Sequence, residues 1–154
     1  MRAYRLFAPA LAFLSLPMAA HAADATLQVT AEVQAGCVFR ANTYRLDFGS
    51  IRADSSDTLT ASTAIKYQCT RGTTHKLFVG GPDKGPITHT LLSAASGKPM
   101  DYVLNWTSPA SAGQGFAGAP DLEIRLTGTL VPAMYQAAEP GSYSTTLRIS
   151  LLPD

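Results

Sequence analysis

Apolar and polar residues alternate one by one through most of this chain, and no segment longer than ten residues carries a helical stripe bounded by caps. A period of two is the period of a strand with one buried face. The cleanest case is Ala25, Leu27, Val29, Ala31 and Val33, interleaved with Thr26, Gln28, Thr30 and Glu32. Shorter pieces follow at Cys37 to Phe39, Arg45 to Phe48, Thr63 to Cys69, Lys76 to Val79 and Met100 to Trp106. Leu122, Ile124 and Leu126 form another set, and Tyr143, Thr145, Leu147, Ile149 and Leu151 read as one last strand. Turn signals separate them: Phe48-Gly49-Ser50, Arg71-Gly72, Gly80-Gly81-Pro82-Asp83, Ser96-Gly97-Lys98-Pro99 and Glu139-Pro140-Gly141. About seven short strands with such punctuation predict an all-β sandwich resembling the immunoglobulin fold.

The 154 residues, 46% hydrophobic and 15% charged, suit one small domain. A formal charge of +1 provides no basic field for nucleic acid. Arg2 and Arg5, the apolar run Leu6 to Leu16, and Ala20-His21-Ala22 read as a secretory signal peptide over residues 1–22, cleaved after Ala22. That run is about half of the roughly 20 residues needed to cross a bilayer, so release without membrane insertion is expected. Export places Cys37 and Cys69, the only two cysteines, in a compartment that permits a disulfide. Two buried free thiols are the other reading.

Several patterns suggest chemistry and lack its context. Gly113-Gln114-Gly115-Phe116-Ala117-Gly118 matches the dinucleotide fingerprint, but Pro120 follows where the phosphate-binding helix should start, so a loop within Ser108 to Pro120 is expected. Asn105-Trp106-Thr107 fits a glycosylation sequon. His75 and His89 have no cysteine or carboxylate at metal-ligand spacing and read as surface-loop residues. Asp101, Asp121 and Glu123 are scattered, there is no G-x-S-x-G elbow, and neither an enzyme nor a cofactor is expected.

The unusual feature is where the most regular strand lies: directly after the expected cleavage point, running into Ala35-Gly36-Cys37. Two readings compete. Ala25 to Val33 is the first strand of its own sandwich, packed in cis, or it fills a gap in a neighbouring copy by β-augmentation. In the second case Leu27, Val29, Ala31 and Val33 enter apolar pockets, worth roughly 5 to 7 kcal/mol before the ordering cost. Each copy both gives and receives, so the contact does not close and a fibre results.

The run Leu27 to Val38 containing Gly36-Cys37, then Leu46-Asp47-Phe48-Gly49, Tyr67-Gln68-Cys69-Thr70, and the ending Pro140-Gly141-Ser142-Tyr143 through Ile149 resemble the spore coat protein U domain family, which includes subunits of archaic chaperone-usher pili. The resemblance implies an incomplete immunoglobulin-like β-sandwich over residues 36–154, completed by donor-strand exchange, with residues 23–35 as the donor segment. It implies a Cys37–Cys69 disulfide, and a C-terminal strand whose Leu147, Ile149 and Leu151 face the acceptor groove and whose edge pairs with a chaperone. The implied partners are copies of the chain or related subunits, a periplasmic chaperone and an outer-membrane usher. The implied function is a structural subunit of a surface fibre for adhesion or biofilm formation. A spore or cell-surface coat protein and a self-contained exported binding module are the alternatives.

Overall fold

The structure is a computed structural model that describes residues 25–109 and 111–154, so the expected signal peptide lies outside the described residues. The chain divides into two units, Met1–Glu32 and Val33–Asp154. Of the first, residues 25–32 are described; they enter no strand, and Leu27 and Val29 are 86% and 82% exposed. The most regular alternation in the sequence therefore forms no ladder among the described residues. Alternation supplies a face but not a partner, and an extended segment needs a neighbour for its backbone groups.

The second unit is an all-β, immunoglobulin-like sandwich. Its strands are β1 (Cys37–Phe39), β2 (Leu59–Cys69), β3 (His75–Val79), β4 (Ile87–Ser93), β5 (Pro99–Asn105), β6 (Leu122–Leu130), β7 (Tyr143–Ser144) and β8 (Ile149–Pro153). One short helix, α1 (Pro132–Tyr135), follows β6, with Pro132 in the first turn, where a missing N–H costs nothing. The larger sheet has the order β1-β2-β6-β5-β4-β7, and the second contains only β3 and β8 among the described residues. Every pairing is antiparallel.

Period-two patterning explains how the sheets face each other. In β6, Leu122, Ile124, Leu126 and Leu130 are buried while Glu123 and Arg125 are exposed. In β2, Ile65, Tyr67 and Cys69 point the same way, and β5 adds Met100, Tyr102 and Leu104. Leu77 and Val79 of β3 close the core from the second sheet. Cys37 and Cys69 are register partners on β1 and β2, joined by a disulfide.

Four expectations are corrected. Arg45 to Phe48 forms no strand. Tyr143 to Leu151 is two strands, β7 pairing with β4 of the large sheet and β8 with β3 of the small one, because residues 145–148 cross from one sheet to the other. His75 is not in a surface loop; it opens β3 at 5% exposure, its Nε2 2.9 Å from the Tyr67 hydroxyl. His89 is not in a loop either: it lies in β4, on the face shared with its register partner Tyr102, their ring centroids 5.9 Å apart. β4 is hard to read from sequence because His89 and Ser93 share the face of Ile87 and Leu91, and only Leu92 is apolar on the other face.

Candidate functional site

Two segments line an opening in the sandwich. One runs from Thr43 to Ala53 and contains the Leu-Asp-Phe-Gly motif; the other runs from Ala138 through the crossover to Ile149. Between them lies a groove of about 1060 Å³ whose floor is the core itself: Ile65 of β2, Val79 of β3, Met100, Tyr102 and Leu104 of β5, and Leu126 of β6. Among the described residues, the backbone of residues 43–50 and of 145–147 has no backbone hydrogen-bond partner. Both walls thus offer unpaired backbone beside the core, and unpaired backbone is a template for another strand.

The first wall is held by named contacts. Asp47 Oδ1 accepts a 2.8 Å hydrogen bond from the Gly49 amide, fixing the turn after Phe48. Leu46 and Phe48 sit against the bare backbone of Gly128, where an added Cβ would lie 2.7 Å from Phe48 Cζ and 2.9 Å from Leu46 Cδ2. At its start, the Tyr44 hydroxyl donates to the Lys66 carbonyl at 2.9 Å. After it, the Tyr135 hydroxyl reaches the Ser55 and Asp57 carbonyls at 3.0 and 2.8 Å, and Gln136 Nε2 donates to the Ser55 carbonyl at 2.8 Å. The wall is thus anchored at both ends and seated in its middle, while its own backbone edge stays open.

The second wall contains Leu147 and Ile149, which line the groove, whereas Leu151 lies beyond its lining, packed against the core as register partner of Leu77. Beside this wall, Lys98 and Glu139 form an exposed ion pair. Lys98 first, and then Ser96, hold the Glu139 carboxyl below its ordinary value by hydrogen bonding, and Glu139 raises Lys98 in return. Burial pushes the phenols of Tyr67 and Tyr102 up. Leu27, Val29 and Val33 carry their apolar side chains into solvent, Val33 at 83% exposure.

Sequence reading missed the floor residues Tyr102, Leu104 and Leu126 as parts of a site, because a core position and a groove position share one alternation. It also missed Tyr135. The glycine-rich loop has a structural use: a Cβ on Gly113 would come within 2.1 Å of the Thr70 carbonyl and 2.8 Å of Cys69 Cβ, so the loop lies directly against the disulfide. Its amides are spent within the protein, Gly113 donating to the Thr73 carbonyl at 2.8 Å and Gly115 to the Cys69 carbonyl at 2.9 Å. Cys37, Cys69 and His75 bring their ligand atoms within 4.8 Å of one another, but the two sulfurs are bonded to each other, and a metal takes thiolates.

The Spore Coat Protein U domain matches residues 23–150, which takes in the exposed segment and the sandwich as far as the start of β8. The chain belongs to the spore coat protein U domain family. No curated protein and no solved structure matches it. Members of the family are structural proteins of coats and fimbriae. Among the described residues, no helix is long and apolar enough to cross a membrane.

Proposed function

We propose that this protein is a subunit of a surface fibre, an archaic chaperone-usher pilus, in which Leu27, Val29, Ala31 and Val33 of one copy fill the groove of the next. The observation that carries this reading is the groove: two walls, at residues 43–53 and 138–149, flank an opening floored by core residues, and among the described residues the backbone of 43–50 and 145–147 has no backbone partner. An inserted strand gains main-chain hydrogen bonds on both sides and buries alternate side chains against Ile65, Leu104 and Leu126. The exposed alternating segment at residues 25–33 has the length and the apolar face to be that strand.

Before assembly, a groove of this kind is an aggregation site and needs cover, the task of a periplasmic chaperone pairing along Leu147 and Ile149; an outer-membrane usher then receives the subunit. Attachment or biofilm formation is the role of the finished fibre. Replacing Val29 by Asp puts a charge into an apolar pocket, so polymer growth stops while the groove of the same molecule still accepts a wild-type donor. Deleting residues 23–35 has the same one-sided effect. Normal fibres from the Val29→Asp chain, seen by electron microscopy, contradict the assignment.

A further inference from the structure

A second cavity, of about 380 Å³, lies just past the end of β2, bordered by Arg71 and by the glycine-rich loop from Gly113 to Pro120. The loop is pinned from beneath. Besides the Gly113 and Gly115 amides, which turn inward onto Thr73 and Cys69, the Gly72 amide donates to the Gly113 carbonyl at 2.7 Å. Gln68, 3% exposed on β2, donates from Nε2 to the Ala119 carbonyl at 2.7 Å. A loop held at four points presents a fixed surface, so a ligand bound there costs little ordering.

The groups left unspent in this cavity are donors. Among the described residues the Arg71 guanidinium has no ion-pair or hydrogen-bond partner, whereas Arg40, Arg52, Lys76, Lys98 and Arg125 each have a carboxylate partner. Asp121, the acidic residue next after the loop, is taken by Arg40 at 2.6 Å. No Asp or Glu lines the cavity. The backbone amides of Gln114, Ala117, Gly118 and Ala119 donate to no acceptor among the described residues. A guanidinium fork beside free N–H groups, with no counter-charge, is complementary to an oxyanion.

We propose that this cavity binds a uronic acid unit of an acidic polysaccharide, its carboxylate held by Arg71 and the loop amides. The volume is more than a bare oxyanion fills and sits near the low end of small-molecule sites, about 300 to 1,000 Å³, which suits one sugar ring. The exposed Gln114 side chain offers both a donor and an acceptor to a ring hydroxyl. Ala117, Ala119 and Pro120 supply short apolar surface for the ring C–H groups. The site lies within one copy and stands without the donor-strand reading. In a fibre it repeats once per subunit, and a polymer carrying many uronates gains from that repetition.

The test is calorimetric titration of the full exported chain with three probes: a galacturonic acid oligomer, a galactose oligomer of the same length, and inorganic phosphate. The acidic oligomer is expected to bind, with the neutral oligomer and phosphate each about tenfold weaker or more. Arg71→Gln weakens binding of the acidic oligomer about tenfold or more, the scale of a charged hydrogen bond. Arg71→Lys recovers only part of it, because a point charge lacks the fork. Ala117→Glu places a like charge in the cavity and weakens binding by a second route. Both positions are exposed, so neither variant is expected to lower the unfolding midpoint. Lys84→Gln, outside the lining, leaves affinity unchanged. The proposal is overturned if the acidic oligomer does not bind, or if the galactose oligomer or phosphate binds as tightly. Unchanged affinity in Arg71→Gln, or an equal loss in Lys84→Gln, overturns it as well.

Discussion

Gly113 is the residue where the sequence pattern and its physical use diverge most. Its place in a G-x-G-x-x-G run suggests a phosphate site, yet its bare Cα is what lets the loop lie on Cys69 and Thr70. Gly113→Ala has no room for its methyl against backbone, so a loss of about 2 kcal/mol or more is expected in denaturant unfolding of the assembled protein. The Tyr135 hydroxyl is the second case. Tyr135→Phe keeps the packing but removes the donor to Ser55 and Asp57, which lowers stability by about 1 to 2 kcal/mol and loosens the far end of the first wall. Hydrogen exchange of residues 50–57 reports that loosening. The Lys98–Glu139 pair acts at the same scale through charge. Because the carboxyl is held below its ordinary value in the folded state, its small stabilisation is present above the unfolded carboxylate pKa and disappears as pH falls through the lowered one. Glu139→Gln therefore removes a shallow acid dependence below about pH 4.5 and leaves neutral stability almost unchanged, as fits an exposed pair.

At the scale of elements, the disulfide joins β1 to β2 across a loop of 32 residues. In the chain-entropy picture such a link stabilises by about 3.5 to 4 kcal/mol, so Cys37→Ser with Cys69→Ser lowers the midpoint of unfolding sharply and frees the short strand β1 first. Most strands were legible because one of their faces is continuous and apolar: β2, β5 and β6 lie within a few residues of their expected places. The rest was hidden for physical reasons. Sheet membership is a tertiary property, so Thr145 and Leu147 continue an alternation that the backbone does not honour; it changes sheets between β7 and β8. Leu46 and Phe48 alternate like a strand yet have no ladder neighbour among the described residues. Their apolar side chains spend the pattern on Gly128 and Tyr102 instead. Of the acceptor residues expected from sequence, Leu147 and Ile149 line the groove and Leu151 does not, since the cavity ends where β8 is fully paired with β3.

The whole molecule has two features that lack partners among the described residues: an exposed segment at 25–33 with alternating apolar residues, and a sandwich with a two-stranded smaller sheet and a groove walled by unpaired backbone. Under the proposed reading such a chain gains most by exchange, because each copy would carry both a groove and a segment that fits one. The central claim is that the segment filling each groove comes from another molecule. Its most direct measurement is size-exclusion chromatography with light scattering on the processed chain purified without a chaperone, combined with hydrogen exchange at residues 25–33. The expected result is polymer or aggregate, with these amides protected only in the assembled fraction. A soluble monomer that melts cooperatively, with the same amides protected inside a single molecule, would contradict it.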